Sequence, residues 1–460
     1  MMRSVFSILT GALAALCLAS MGCSPDNPAA PEVVTNADAI RISALGNNFS
    51  AGFINGGLIQ AGQIASFPNL ISIQAGGGSL QMPLVNSPGI GSTPGHGALY
   101  VNGQGLIVAD NVVNPAALLL NATYPVPYDN LGVPGATTLD LLQATDAASS
   151  QSQTNSFFDL ILRNAGLPPG GQTAIDQVRA LSPQVLTLWT GQNHILAGAM
   201  SGEPESGINI TPASLWSGLF LMVLDEVESM EAPIVVVGNL PDFCNLPYFT
   251  TMPLGTMIDS STIRWNMEED LDGDGDDVEY ILLTARLTPD YLPDSSGASQ
   301  DTLSAALTLT GEEAALIRES VDGFNSIIAA ETEARGWAMA DVHTILSQLP
   351  GEPIPENFAF PNAIFPWLVN SQTGIPFQNT MSAYSLDGIH SSEKGQALIA
   401  NAFIEALNET YGLSIPLVDV AAVENVVGFE QAPGKASHYG FRDSGLDQLK
   451  DFSSLLKKSE

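Results

Sequence analysis

Five short apolar runs along the chain predict the strands of an α/β fold. The segments between several of them carry apolar residues at helical spacing. The runs lie at 39–45, 128–137 (ending in a tight turn), 185–189, 234–237 and 337–342. The helical segments lie at 138–142, 156–165, 173–181, 211–227, 310–335 and 392–411. Because strands and helices alternate, this order predicts right-handed βαβ units and a parallel sheet.

Two of these helices carry capping signals at their starts. Thr211 followed by Pro212 is a preferred pair for the N-cap and the first helical position. Thr310-Gly311-Glu312-Glu313 has the spacing of a capping box, in which the first and last side chains bond each other's backbone N–H. Both helices are therefore expected to begin at these residues.

Two stretches interrupt the alternation and are interpreted as insertions. Residues 66–125 are rich in Gly, Pro and Ser and predict a long covering loop rather than a regular element. Residues 245–308 also depart from the pattern. The main domain is accordingly predicted at 39–415, followed by a tail at 416–460 in which 446–456 has the pattern of a short amphipathic helix.

The charge balance narrows the classes of partner. The chain has 48 acidic against 14 basic residues, a formal net charge of −34, while 45% of its residues are hydrophobic. The hydrophobic fraction is enough for a sizeable core. So strong a negative charge repels nucleic acid and anionic lipid headgroups, so neither is expected as a partner.

The first residues have the pattern of an export signal. Arg3 precedes an apolar run from Val5 to Leu18 that is too short for a permanent membrane span. Ser20-Met21-Gly22-Cys23 then resembles a bacterial lipoprotein cleavage box. We therefore expect a signal peptide at 1–22, a lipidated Cys23 and a flexible tether at 23–38. The protein would be exported to the periplasm or cell surface, anchored to the outer membrane through that lipid only; ordinary secretory cleavage nearby is the alternative.

An acidic loop in the second insertion suggests a cation site. Asp270, Asp272 and Asp274 alternate along the chain and are followed by glycines, as in the first half of a calcium loop. The twelfth position of that template is Ile281, where a bidentate Glu is expected. A weak Ca²⁺ site and a solvated acidic loop both remain open, and a calcium titration separates them. No other cofactor is expected.

An acid and a base lie close together just before the last predicted helix. In Asp387-Gly388-Ile389-His390 the carboxylate is three residues from the imidazole. A carboxylate that holds one ring nitrogen leaves the other facing a substrate as a proton acceptor. Taken alone, the four residues also fit an ordinary surface turn.

Four separated blocks, taken together, resemble the SGNH hydrolases, the GDSL lipase/esterase superfamily. They occur in the family's order over roughly 39–413, and the likeness is greatest to large exported lipoprotein members, which also share patterns like 66–70, 239–242 and 247–250. The four blocks are Gly46–Gly52, Gly135, Gly191–Asn193 and Asp387–His390. The resemblance implies a three-layer, flavodoxin-like parallel sheet flanked by helices. It also implies hydrolysis of ester bonds in an acyl-ester small molecule, a lipid or an acylated glycan.

The resemblance assigns a role to each block. His390 would be the general base and Asp387 its orienting partner. The side-chain amide of Asn193 and the backbone N–H of Gly135 would donate to the oxyanion of a tetrahedral intermediate. His194, directly after Asn193, would be either a binding group or incidental.

The nucleophile position departs from the family pattern, because Asn48 stands where the family has serine. An amide has no hydroxyl to deprotonate, so the usual acyl-enzyme cannot form there. Three explanations compete. The protein binds a ligand without cleaving it, Ser50 serves as the nucleophile instead, or His390 activates water directly with Asn48 as an added oxyanion donor. A calcium-dependent surface module, resting on the acidic loop alone, is a further class.

Overall fold

The computed structural model describes most of the predicted domain. The described residues are 40–102, 106–125, 127–164, 170–230, 234–252, 254–258, 261–264, 277–287, 303–347, 349, 367–369, 376–378, 382–425 and 440–441. Within these ranges no helix combines the length and the hydropathy needed to cross a membrane. The predicted leader and tether with Cys23, the acidic loop with Asp270, Asp272 and Asp274, and the helix at 446–456 lie outside the described residues.

The regular elements of the described residues follow the predicted alternation. The helices are α1 (Asn48–Ala51), α2 (Gln60–Ile64), α3 (Phe67–Gln74), α4 (Thr138–Gln143), α5 (Phe157–Leu162), α6 (Ala174–Leu181), α7 (Asn193–Ala199), α8 (Ala213–Glu228), α9 (Pro247–Thr250), α10 (Gly311–Arg335), α11 (Val342–Ser347) and α12 (Glu393–Tyr411). The strands are β1 (Ile42–Gly46), β2 (Gly57–Leu58), β3 (Ile90–Gly91), β4 (His96–Val101), β5 (Leu106–Asn111), β6 (Asn130–Gly132), β7 (Val185–Trp189), β8 (Ile234–Gly238), β9 (Gly255–Ile258), β10 (Ser261–Arg264), β11 (Val278–Ile281), β12 (Thr308–Thr310), β13 (Ala338–Ala340), β14 (Trp367–Val369), β15 (Pro376–Gln378) and β16 (Gly440–Phe441).

The five predicted strands form one parallel sheet in the order β13-β8-β7-β1-β6. Counted along the chain, the second strand lies beside the first, and the third, fourth and fifth follow on the other side. This is the flavodoxin-like order, in which the strand order reverses between β1 and β7. The register sets Ala44 of β1 opposite Asn130 on one side and Thr187 on the other. The prediction of a parallel α/β sheet is therefore confirmed.

Helices cover the sheet in two groups. The helices α3 and α12 pack on each other, and between them they contact β1, β8 and β13. A second group consists of α4, α6, α8 and α10, which contact one another in a chain and reach β1 and β13. Because both faces are covered, β1 and β7 are buried along their whole length, as is typical of strands in parallel sheets. The result is a three-layer α/β fold.

The prediction that 66–125 lacks regular structure is wrong in part. The segment contains the helix α3, whose Phe67 ring lies 4.5 Å from Phe403 of α12, and the antiparallel pair of β4 and β5. Pro68 falls in the first turn of α3, where proline is tolerated because its missing N–H has no helical partner. The glycines and prolines that suggested a loop thus lie mostly at the ends and turns of short elements.

The two capping signals have different outcomes. The capping box of Thr310 and Glu313 is confirmed, with N–H to side-chain distances of 2.9 and 3.2 Å. The prediction that Thr211 caps α8 is wrong. Pro212 occupies the N-cap position, and no side chain caps the helix there. The hydroxyl of Thr211 instead lies 3.0 Å from Nδ1 of His194, a tertiary contact that outweighs the local preference.

Candidate active site

The predicted catalytic blocks meet at the carboxyl ends of β1 and β7. Asn48 begins α1 two residues after β1 ends at Gly46, and Asn193 begins α7 four residues after β7 ends at Trp189. In open parallel sheets this edge, at the point where strand order reverses, is the usual place for a ligand site. The Asp387–His390 turn reaches the same edge immediately before α12.

A continuous hydrogen-bonded chain joins Asn48, His390 and Asp387. Nδ1 of His390 lies 2.9 Å from Oδ2 of Asp387, and Nε2 lies 2.6 Å from Nδ2 of Asn48. A carboxylate accepts, so the proton of the neutral imidazole sits on Nδ1. Nε2 is then an acceptor, and the amide N–H of Asn48 donates to it. Nε2, the atom expected to act as the base, is therefore already occupied by the side chain at the nucleophile position.

The carboxylate of Asp387 is held by four donors. Oδ1 accepts the backbone N–H groups of Ile389 and His390, both at 2.8 Å. Oδ2 accepts Nδ1–H of His390 and the backbone N–H of Gly56, the latter at 2.6 Å. Burial would raise the pKa of this carboxyl. The charge of a protonated His390 and these hydrogen bonds outweigh burial, so the pKa of Asp387 lies below its ordinary value.

The turn that carries Asp387 is braced by the second insertion. Gly388 has φ of +72°, and a Cβ there would lie 2.8 Å from the backbone nitrogen of Tyr248. The N–H of Tyr248, in α9, donates to the carbonyl of Gly388 at 2.9 Å. Only glycine fits both the left-handed backbone and this close approach. The block at 247–250 thus fixes the position of the acid.

Asn193 forms a hydrogen bond with the Asn48 side-chain amide, the same group that donates to Nε2 of His390. Its Nδ2 donates to Oδ1 of Asn48 at 3.0 Å and to the carbonyl of Ala136 at 2.8 Å. Gly135, one residue earlier, is in the left-handed region with φ of +77°. Among the described residues none accepts the N–H of Gly135. The side chain of Asn193 therefore lies between Asn48 and the loop after β6 that contains Gly135.

The groups of this site are almost completely shielded from water. Asn48, His390, Asp387 and Asn193 are each no more than 2% exposed. The rings of Phe49 and Phe53 pack on the imidazole with centroid distances of 5.2 and 5.0 Å. Such an apolar surround strengthens each hydrogen bond at the site, and it makes unpaired polar groups costly.

The structure does not bring Ser50 to the base. Its hydroxyl is buried and forms no hydrogen bond. It faces Gly46, where an added Cβ would lie only 2.3 Å from Oγ of Ser50. Ser50 therefore packs against Gly46 of β1 and Gly132 of β6 and forms no hydrogen bond to His390.

His194 has a positioning role. Its Nε2 accepts the backbone N–H of Thr138 at 3.0 Å, which places the ring proton on Nδ1, beside the hydroxyl of Thr211. The ring thus joins the start of α4 to the start of α8, next to the Gly135 loop. It lies within the structure that supports the site and not in the hydrogen-bonded chain of the base.

The supporting contacts of three residues, two of them within the predicted blocks, were not predicted from the sequence. Nδ2 of Asn47 donates to Oε1 of Gln192 at 2.8 Å, which ties the loop after β1 to the loop after β7. Oδ1 of Asn55 accepts the N–H of Leu386 at 2.8 Å, next to Asp387. These contacts join residues up to 331 positions apart, so no local pattern in the sequence indicates them.

No metal centre accompanies the site in the described residues. No group of three or more His, Cys, Asp or Glu side chains there is arranged to hold a metal ion. The acidic loop at 270–274 lies outside this part of the chain.

Comparisons with known proteins give a distant likeness to a solved structure. No protein-family model matches the chain, and no curated protein matches it in sequence. Among solved structures, the chain is similar to a variant of an acetyl-xylooligosaccharide esterase from Geobacillus Stearmophilus. That likeness has a TM-score of 0.27 and 10% sequence identity, and it covers 60% of this chain and 69% of the esterase.

The depressed pKa of Asp387 predicts a pH-dependent contribution to stability. The unfolded carboxyl has a pKa of about 3.9, and the folded one is lower. The contribution is therefore fully present above about pH 4–5 and is lost as the pH falls through the folded pKa. Urea unfolding of wild type and Asp387→Asn should show a stability gap that narrows with acidification.

Asp140 provides a control, because its pKa is shifted in the opposite direction to that of Asp387. Burial raises its pKa, although hydrogen bonds from Thr137 and Gln151 oppose the shift. The stability gap between wild type and Asp140→Asn should therefore widen in favour of wild type as the pH falls. An Asp387→Asn gap that does not change with pH would contradict the account of the carboxylate.

Proposed function

We propose that the chain carries an SGNH-type ester-hydrolase site whose covalent route is blocked by Asn48. The chain from Asn48 through His390 to Asp387 is the observation that carries the proposal. Its geometry is that of a nucleophile, a base and an orienting acid. The side chain in the first position is an amide, so the wild-type protein binds an ester-bearing ligand without forming an acyl-enzyme.

Two features of the site argue against the other catalytic explanations. A water molecule activated by His390 would first have to displace the Asn48 amide from Nε2. Nδ2 of Asn193 is likewise engaged by Oδ1 of Asn48. The base and a donor are thus both satisfied within the protein, whereas the Ser50 hydroxyl forms a hydrogen bond with neither. A non-catalytic ligand-binding protein of hydrolase type is the form that these contacts favour.

The ligand class follows from the same chemistry. A carbonyl oxygen in place of Oδ1 of Asn48 would accept from Asn193 and from the N–H of Gly135. An ester of a small molecule, a lipid or an acylated glycan presents such an oxygen. We also propose that the protein is exported and anchored to the outer membrane by a lipid on Cys23, which would place the site among extracytoplasmic esters.

Asn48→Ser should create esterase activity. Serine is shorter by one bond, and its hydroxyl would extend from the start of α1 toward Nε2 of His390. The base would take the hydroxyl proton as Oγ attacks the carbonyl, then return it to the leaving alcohol, and water would release the acyl group by the reverse sequence. Hydrolysis of p-nitrophenyl esters and covalent labelling by a fluorophosphonate should both appear.

Matched variants distinguish the three explanations for the asparagine at the nucleophile position. Adding His390→Ala should lower the activity of Asn48→Ser by about 10²–10⁴-fold, the usual contribution of a general base, whereas adding Ser50→Ala should leave it unchanged. Asn48→Ala frees the base without supplying a hydroxyl, so it should remain unlabelled. Brisk wild-type hydrolysis that Ser50→Ala abolishes would overturn the proposal, as would a folded but inert Asn48→Ser protein.

Lipidation at Cys23 is tested independently of the active site. Metabolic labelling of cells with an alkyne fatty acid should mark the wild-type protein. The labelled protein should leave the membrane fraction only when detergent is added. Cys23→Ala should lose the label, because no thiol remains at the new N-terminus. Cys17→Ala, within the predicted leader, is the matched control and should keep it. A labelled Cys23→Ala protein would contradict the assignment.

A further inference from the structure

The first insertion and the residues before it form a long stretch with almost no charge. Between Arg41 and Asp129 the chain has one charged side chain, Asp110, when histidine is counted as neutral. The whole chain, in contrast, has a formal net charge of −34. A surface built from this stretch therefore lacks the carboxylates that are abundant elsewhere in the chain.

Within this stretch, residues 113–120 form an exposed apolar segment, which we name the insertion patch. Seven of its eight residues are apolar, and none of the eight is buried. Val113 is 97% exposed, the largest fraction for a large hydrophobic residue in the described part of the chain, and Leu120 is 49% exposed. Single exposed apolar residues are ordinary on protein surfaces, whereas a contiguous apolar patch marks an interaction site.

Backbone hydrogen bonds hold the insertion patch in place. The N–H of Asn86 donates to the carbonyl of Leu118 at 2.8 Å, and the N–H of Leu120 donates to the carbonyl of Leu84 at 2.9 Å. The side chain of Leu118 also packs against the hydrophobic core. The exposed side chains of the patch are therefore attached to a backbone with a defined position.

A pocket of about 480 Å³ lies beside the insertion patch and shares part of it as a wall. Pro115, Ala116 and Leu119 of the patch line this pocket together with Phe157 and Leu160 of α5. The volume is within the range of about 300–1,000 Å³ found for small-molecule sites. An apolar lining gains free energy when it takes up hydrocarbon and releases water. The pocket therefore extends the apolar surface of the patch inward.

Three charged groups lie near the insertion patch. Asp159 and Arg163 are in the lining of the pocket, and Asp110 lies near the end of β5, three residues before the patch begins. Both carboxylates are exposed. Oδ1 of Asp159 accepts the N–H of Ala147 at 3.1 Å, and Oδ1 of Asp110 accepts the hydroxyl of Tyr100 at 2.9 Å. These two carboxylates disfavour an anionic partner surface.

We propose that the insertion patch docks on the surface of a lipid bilayer that has no net charge. The hydrocarbon of the bilayer would cover Val113 and Leu120, and the pocket would take up the end of an acyl chain. A second copy of this chain is a poorer partner, because it would bring together two charges of −34. A zwitterionic bilayer offers an apolar interior without that repulsion.

The position of the described residues along the chain also favours a bilayer as the partner. They begin at 40, which is 17 residues after Cys23, the proposed site of lipidation. A chain of that length spans at most about 60 Å when fully extended. The proposed anchor would therefore keep the patch within reach of a bilayer, but docking of the patch itself requires no lipid on Cys23.

Docking would bring the candidate active site close to the lipid surface. The ring of Phe157, in the pocket lining, lies 5.8 Å from that of Phe53, which packs on His390 at 5.0 Å. Of the ester classes proposed above, lipid esters are the ones that a bilayer presents. This choice of ligand rests on the proposed function, whereas docking on the bilayer does not depend on hydrolysis.

Tryptophan fluorescence tests docking at the patch itself. Purified protein carrying Val113→Trp is mixed with vesicles of phosphatidylcholine whose acyl chains are brominated, because bromine in the chains quenches indoles that enter the hydrocarbon. The emission that Val113→Trp adds to the wild-type signal should be lost on these vesicles and kept on unbrominated ones. Leu215→Trp is the matched control, because Leu215 is 56% exposed on α8, outside the first insertion. Its added emission should be kept on both.

Further variants test the chemistry of the patch. Adding Leu120→Glu to Val113→Trp should restore the emission, because a carboxylate would otherwise have to enter hydrocarbon. Adding Met222→Glu, at a position 55% exposed on α8, should leave the quenching unchanged. Replacing part of the lipid by brominated phosphatidylglycerol should reduce the quenching at low salt. Added salt should restore it, since salt screens the negative charge of the chain.

Four results would overturn the inference. These are no quenching of Val113→Trp, equal quenching of Leu215→Trp, quenching that survives Leu120→Glu, and stronger quenching on the anionic vesicles. A second copy as the true partner would give the first of these results, together with a dimer in sedimentation that Leu120→Glu dissociates.

The same measurements separate this inference from the proposals above. Quenching of Val113→Trp in a protein whose folded Asn48→Ser variant is inert would count against the hydrolase site alone. Quenching in a protein that takes up no fatty acid label would count against the anchor at Cys23 alone.

Discussion

The hydrogen bond from the Asn48 amide to Nε2 of His390 governs the chemistry of this molecule. It forms because Asp387 fixes the proton of His390 on Nδ1, leaving Nε2 as an acceptor. Asn193 then bonds the other end of the same amide. A single side chain thereby satisfies the base and an oxyanion donor, in a site where water is excluded and unmet hydrogen bonds are costly.

The parallel sheet brings the residues of this hydrogen-bonded arrangement together. Adjacent parallel strands β1 and β7 end at one edge, so Asn48 and Asn193 become neighbours although they are 145 residues apart. The insertions contribute as well. Tyr248, in the second insertion, braces the Asp387 turn. Gly56, which precedes the first insertion, holds the carboxylate of Asp387. The first insertion also forms two walls of a neighbouring pocket, and α5 forms the third. The second insertion therefore supports the site, and the first insertion forms part of a neighbouring pocket.

The elements that depend on local sequence patterns could be predicted from the sequence. The sheet strands follow from apolar runs such as Val185–Trp189, and the capping box at Thr310 follows from spacing alone. These patterns missed α3, because Gly- and Pro-rich turns hide a short helix whose Phe67 packs on residues far along the chain. They also misplaced Thr211, whose hydroxyl meets His194 through tertiary contact. The network of Asn47, Gln192 and Asn55 depends on such non-local contacts throughout.

The protonation state of His390 tests the central claim most directly. In protein labelled with ¹⁵N, the account predicts that Nδ1 carries the proton at neutral pH. It also predicts a scalar coupling across the hydrogen bond between Nδ2 of Asn48 and Nε2 of His390, which Asn48→Ala should remove. A proton on Nε2, or His390 nitrogen shifts that do not respond to Asn48→Ala, would contradict the claim that Asn48 occupies the base.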